Sequence, residues 1–511
     1  MERSSGRRYQ RRLSRRQVLG GAAASAGLLG LSAALAGCAA PPAPTPVVKE
    51  VVREVPKEVV KEVVKEVPKE VVREVTKVVE REVVITPTVP ASERWTAGKV
   101  SADTAGTFKL MSWEDEGEMR KFILHYERFF EKYYPKMKPQ FDWGIPWAEY
   151  WTKLQTSTAA GTPPDLCWMH DTRGKVFPAL GLLLPLDDYI KALPPPEWPQ
   201  KFYKTQVEAF QYQGKQYAIP YDWAPGGFYV NVDLLEKAGI DLPSENWTFD
   251  DLLAAGAKLT KKTGNARDDQ WGFNLPTSHG GSYWIVRSFG GETVAGDPPK
   301  SRFDDPNTLK AYQFLYDAMW THKVMPTQDT LKELGLSGEF VFVSGRVGIH
   351  YALNDTAFRM AEAVGKKFRW TVAPTPKGQG GRFQFVGGSS HAIPKGSRQP
   401  DIAYEAIRYV LTNPDNLPIT GVMGSMFVGR TDFWQHGLPT KDMGVDPEAF
   451  KKAFYDLGQR NGVIPLYHTK YQQWETTVYN RHMQRLWVNE EKEVAKVLAQ
   501  VHADTNQLLS S

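Results

Sequence analysis

Cysteine is close to absent from this 511-residue chain, which has only Cys38 and Cys167. Neither a disulfide framework nor a thiolate metal site is available to it. Acid is missing from the first 37 residues, where Glu2 stands alone against Arg3, Arg7, Arg8, Arg11, Arg12, Arg15 and Arg16. That segment holds a net +6 within a formal total of +5, which leaves the remainder at −1. The basic balance therefore belongs to the N-terminus, and a nucleic-acid partner is excluded with it. Catalytic signatures are lacking too: no H-E-x-x-H, G-x-S-x-G, phosphate-binding loop or dinucleotide fingerprint occurs. Gly378-Gln379-Gly380-Gly381 reads as a loop between strands. Beyond residue 38 no run is long and apolar enough to span a bilayer. Aromatics are withheld from the start of the chain, with Tyr9 the only one before Trp95. The length predicts two or three domains, and the aromatics put their cores after residue 95.

The N-terminus has an address instead. Ser14-Arg15-Arg16-Gln17-Val18-Leu19 resembles the twin-arginine export motif. A Gly/Ala-rich run over 18–36 ends in Leu35-Ala36-Gly37-Cys38, which resembles the bacterial lipobox. The resemblance implies removal of residues 1–37, acylation of the Cys38 thiol and a chain anchored at the outer face of the cell membrane. The alternative is a retained membrane helix, which the weak hydrophobicity of the run disfavours. Residues 47–82 then repeat units of the type VVKE, with nine Lys/Arg against nine Glu. Paired valines at a period of four fit neither strand alternation nor a heptad seam, and Pro56 and Pro68 would break a helix. Residues 38–106 therefore read as a lipid-anchored stalk and linker without a core, with an oligomerising coiled coil as the competing reading.

The body alternates short apolar strands with helices, which predicts an α/β fold with mainly parallel sheets. Residues 107–113 read as a strand ending in Trp113, Glu114 and Asp115. A helix from about Glu118 follows, then a strand near 139–143, a helix over 147–160, and a buried strand with a polar tip at 163–171. Trp113 with its two acids, and Trp168 with Asp171, both fall at carboxyl ends of strands, where such sheets bind ligands. An indole covers the apolar face of a sugar ring, while carboxylates and guanidinium groups bond its hydroxyls. Each residue also has a plainer reading. Trp113 and Trp168 suit a core equally, Asp171 suits a cap, His170 a structural role, Arg173 a solvated surface and Cys167 a small core position. The stretch 214–239 holds two short strands around Tyr221-Asp222-Trp223 and Pro225-Gly226-Gly227, then a helix capped by Asn231 and ended by Gly239. It reads as a crossing between domains, with Asp222 and Trp223 at its mouth and Pro225, Gly226 and Gly227 as the hinge.

The motifs fall in a known order. Glu149-Tyr150, Lys153-Leu154, Ala160-Gly161 and Pro164-Asp165 are followed by Leu184-Pro185-Leu186-Asp187-Asp188. The 214–239 crossing, Gly290-Gly291, Phe342-Val343-Ser344-Gly345-Arg346 and Pro374-Thr375-Pro376-Lys377-Gly378 before Gly387-Gly388 come next. In this order the body resembles extracellular solute-binding protein family 1, the carbohydrate-type binding proteins of ABC importers. Trp168-Met169-His170-Asp171 is similar to the W-x-H-D of the maltose-type branch. Gly348 followed by Ile349-His350, and Tyr221-Asp222-Trp223 at the crossing, depart from the usual pattern.

The resemblance implies a two-lobed, hinge-linked periplasmic binding protein type II fold. It places lobe one at 107–224 plus 376–411, and lobe two at 226–372 plus 412–511. The ligand-binding set it implies is Trp113, Glu114, Asp115, Trp168, His170, Asp171, Arg173, Asp222 and Trp223, with Trp284, Tyr351, Asn354, Gly388, Ser389 and Trp474. Trp474 stays open between cleft and core, because Tyr471, Trp474 and Val478 share one helix face. The implied function is capture of a mono- or oligosaccharide or polyol and its delivery to an ABC permease, by a monomer without cofactor or catalysis. The enzymatic alternative is a glycoside hydrolase with carboxylates drawn from Glu114, Glu116, Asp171 and Asp222.

Overall fold

The computed structural model describes residues 100–113, 116–412, 429–431 and 443–511. The export signal, Cys38, the valine-rich repeat, Glu114 and Asp115 lie outside the described residues. The body is α/β, with two lobes built on separate sheets.

The first sheet is made by short apolar strands. Gly106–Met111 buries Phe108 and Leu110, and Leu166–His170 is buried through its first four positions. Five strands lie in the order Met137–Asp142, Gly106–Met111, Leu166–His170, Ser389–Ala392 and Ala218–Pro220. The first three are parallel, and Ser389–Ala392 opposes both of its neighbours. Helix Glu116–Tyr133 packs on this sheet through Phe130, whose ring lies 4.9 Å from that of Phe108. Its Phe129 meets Tyr409 of helix Pro400–Thr412 at 5.5 Å.

The second sheet is mixed rather than mainly parallel. Its long strand Ala224–Asn231 is buried at all eight positions and runs antiparallel to Val347–Leu353, Trp370–Ala373 and Gln384–Gly387. The reason is topological: Ala224–Asn231 enters from the first lobe, Gln384–Gly387 heads back to it, and the two lie side by side. Beyond this strand, local chemistry sets the elements as the sequence suggests. The Asn231 side chain accepts from Leu234 N at 3.1 Å, helix Val232–Lys237 follows, and Gly239 ends it at φ 64. Thr248 and Asp251 close a reciprocal cap on helix Phe249–Leu259.

The crossings differ from the expected boundaries. Between consecutive strands the chain changes sheet at Tyr221-Asp222-Trp223 and again at Gly388, not near 376, because Gln384–Gly387 is still a strand of the second sheet. Nor do residues 412–511 belong to lobe two throughout. Gly429 N donates to Tyr221 O at 2.9 Å, and Tyr203 N donates to Gly429 O at 3.2 Å, which ties this short piece to lobe one. Pro225, Gly226 and Gly227 are not a bend. They lie inside the strand, where a Cβ on Gly226 would come within 2.0 Å of the Tyr351 hydroxyl and one on Gly227 within 2.7 Å of the Phe454 ring. These glycines let two aromatic side chains approach the backbone closely.

Candidate functional site

Carboxylates grip the crossings at Tyr221–Trp223 and Gly388. Asp171 follows strand Leu166–His170 at its carboxyl end and is fully buried. Its Oδ2 accepts from Gly388 N at 3.0 Å, while its own N donates to Gly388 O at 3.1 Å. Asp222 Oδ1 accepts from the next amide, Ser389 N, and Tyr221 N donates to Ser389 O at 3.0 Å. Consecutive amides of the returning strand are thus held by two charge-assisted bonds. The second Asp171 oxygen lies 2.9 Å from His170 Nδ1, which is itself 3.0 Å from Thr172 Oγ1.

Polar groups with unspent bonding capacity surround these crossings. Gln206, on helix Lys204–Ala209, is fully buried with neither amide atom hydrogen-bonded. A Cβ on Gly388 would sit 2.5 Å from its Oε1, which places this amide against the return crossing. Trp223 stacks on Tyr203 at 3.8 Å and 14°, with Tyr455 5.7 Å away on the second lobe. Tyr455 accepts from Asn354 Nδ2 at 3.0 Å. Asn354 Oδ1, Trp223 Nε1 and Arg173 Nε are buried without a hydrogen bond. Buried polar atoms are ordinarily satisfied, and the hydroxyls of a bound ligand are groups of the kind that would satisfy these.

A tryptophan ledge leads out of this seam. Trp113 is partly buried beside Trp147 at 5.2 Å, Trp151 at 5.4 Å and His170 at 6.3 Å. Trp147 remains 42% exposed, at the first position of helix Trp147–Ala159. Arg173, beyond the same strand end, lies between the rings of Trp151 and Tyr471, 5.6 and 5.8 Å from their centroids. One of its terminal nitrogens reaches Glu475 Oε2 at 3.3 Å, a bond from the first lobe to the C-terminal helices of the second. Among the described residues no His/Cys/Asp/Glu group is arranged to hold a metal.

Several expected ligand contacts are core instead. Trp168 is fully buried against His391 at 4.0 Å, Tyr221 at 6.0 Å and Tyr126 at 6.3 Å. Trp284 stacks on Tyr351 at 4.9 Å and on Phe249 at 5.9 Å inside lobe two. Trp474 resolves to the core side of its two readings: it is fully buried and its Nε1 donates to Thr505 Oγ1 at 2.8 Å. Cys167 is also core, and burial pushes its thiol well above the ordinary range. Trp168→Ala is accordingly expected to cost about 3–5 kcal/mol of folding stability, as large aromatic truncations in cores do. Urea denaturation checks this, and an unchanged midpoint would return Trp168 to the cleft.

Gln206, Trp147 and Glu475 escaped the sequence reading. A glutamine in a short helix has no local signature, whereas Trp147 was visible as an apolar residue on a helix's exposed first turn. Glu475 directly follows Trp474 and has no local motif that marks it.

A family-wide sequence model of the bacterial extracellular solute-binding proteins matches residues 113–416. A maltotriose-binding protein of Pyrococcus abyssi is 25% identical over 268 residues, covering 51% of this chain and 54% of that one. The diacetylchitobiose-binding protein DasA of Streptomyces coelicolor is 27% identical over 277 residues, covering 51% of this chain and 59% of its own. The chain thus spans about half the length of the curated relatives it matches. An ABC substrate-binding protein of Listeria monocytogenes, solved with cycloalternan, shares the fold at a TM-score of 0.70 and 19% identity, over 80% of this chain and all of that one. Members of this family are binding proteins of the extracytoplasmic space. The match spans more than half of the sequence, and the chain belongs to the bacterial extracellular solute-binding protein family.

Proposed function

We propose that this protein is a membrane-tethered receptor that captures a carbohydrate between its lobes and delivers it to an ABC permease. The observation that carries the reading is the fully buried Gln206 amide, set against the return crossing at Gly388 with neither of its polar atoms hydrogen-bonded within the chain. Enclosed polar groups would bond the hydroxyls of one ring, and the exposed indole of Trp147 would stack on a second, which favours an oligosaccharide over a monosaccharide or polyol. The sugars in the relatives' names support the class. Closure would turn about the paired crossings at Tyr221–Trp223 and Gly388, and the ligand shifts the population because it touches both lobes only in the closed form. Acylated Cys38 would hold a monomer at the membrane, with the valine-rich repeat as its spacer.

The hydrolase alternative finds little support, because Asp171 and Asp222 each spend a carboxylate oxygen on a backbone amide. A thermal-shift screen of the full chain against sugars, polyols and phosphorylated polyols tests the reading. One oligosaccharide at a hundredfold over its Kd should stabilise by about 2.7 kcal/mol and be recovered intact. Cleavage of that sugar, or stabilisation by phosphorylated polyols alone, would overturn it.

A further inference from the structure

Arg173 belongs to the first lobe, and the carboxylate it meets belongs to the second. That carboxylate is the outer end of a chain of bonds leading into the second lobe's core. Tyr471 donates its hydroxyl proton to Glu475 Oε1 at 3.3 Å. The same hydroxyl lies 3.2 Å from His279 Nδ1, and His279 Nε2 lies 3.0 Å from Thr293 Oγ1. Both His279 and Tyr471 are essentially without exposure.

The order of protons follows from what each group can do. A carboxylate paired with a guanidinium only accepts, so the single Tyr471 proton points at Glu475. The Tyr471 oxygen must then accept from His279, which fixes the imidazole with its proton on Nδ1. The other nitrogen is left to accept from the Thr293 hydroxyl. Burial holds His279 down to about 3, so the ring is neutral and the one-way sequence is self-consistent.

We infer that His279 and Tyr471 are positioning residues that aim Glu475 at Arg173 across the two lobes, so that closure is biased, though not completed, before any sugar enters. The inference rests on the two-lobed capture reading, and deepens it by naming what biases closure. Arg173 is pinned from three sides: by Glu475, by the Trp151 face and by the Tyr471 face. Glu475 is about a third exposed, so the pair is screened and its leverage on the open–closed ratio is about two- to fivefold.

Tyr471→Phe keeps the ring over Arg173 and removes only the hydroxyl, so the fold should survive it. In the full chain, nitrogen-15 NMR of the imidazoles should show His279 as the Nδ1–H tautomer, with the other form gaining population in Tyr471→Phe. Small-angle scattering should show the unliganded variant more open than the unliganded parent, with Glu475→Gln opening it similarly. Binding of the sugar found by screening should weaken about two- to fivefold, with little change in the melting temperature. An Nε2–H tautomer in the parent, or unliganded variants as compact as the parent, would overturn the inference. The tautomer and the unliganded scattering involve no ligand, so failure of the relay is distinguishable from failure of the carbohydrate reading.

Discussion

Asp171→Ala is expected to weaken sugar binding by about a hundredfold or more, and Asp171→Asn to recover part of the loss. The buried carboxylate accepts from Gly388 N at 3.0 Å, at the point where the chain passes back between the lobes. Its removal leaves a buried amide unpaired, which costs about 1–3 kcal/mol, and frees the crossing that aligns the two lobes. Loss of a charged acceptor close to the Gln206 amide and the His170 ring adds to this. Asparagine keeps an acceptor for Gly388 N but not the charge, so it should fall between the two. Titration calorimetry reads the series directly. Equal affinity in all three proteins would move the site away from the crossing.

Acid is expected to destabilise the body steeply between about pH 6.5 and pH 4. An unperturbed imidazole titrates near 6.5. Burial brings His279 down to about 3, His350 and His468 to about 4, and His391 well below its ordinary value. The folded values lie below the unfolded one, so in this window the unfolded chain binds more protons. The stability these rings contribute is therefore complete above pH 6.5 and is lost as the pH falls towards the folded values. Each ring changes the folding equilibrium by about tenfold per pH unit inside the window, and the four act together. Urea denaturation at pH 7, 6 and 5 should show uptake of up to about four protons on unfolding. A flat profile down to pH 5 would mean that these rings are solvated.

What was legible in the sequence was what local chemistry decides. Asn231 with Gly239, and the strand before Asp171, carry their structural reason within a few residues of themselves. Trp168 shows where that stops. A tryptophan three residues before a carboxylate looks alike whether its indole faces a cleft or a helix, and here Tyr126 of helix Glu116–Tyr133 and His391 from a distant strand cover it. Gly226 and Gly227 misled in the same way, since a glycine pair under two aromatic rings has the sequence of a flexible bend. Glu475 was invisible for a third reason: its partner Arg173 lies 302 positions away, and only the folded chain brings them together. The order of the motifs conveyed the family, but the pairing of crossings that builds the seam is a long-range fact.

The most direct test is small-angle scattering of the full chain titrated with the stabilising oligosaccharide, compared with Gln206→Ala under the same conditions. Compaction that saturates with binding is expected in the parent, and the variant should need at least tenfold more sugar to reach the same compact form. Binding that leaves the scattering unchanged, or an unaltered titration in Gln206→Ala, would contradict capture of the sugar at the crossing between the lobes.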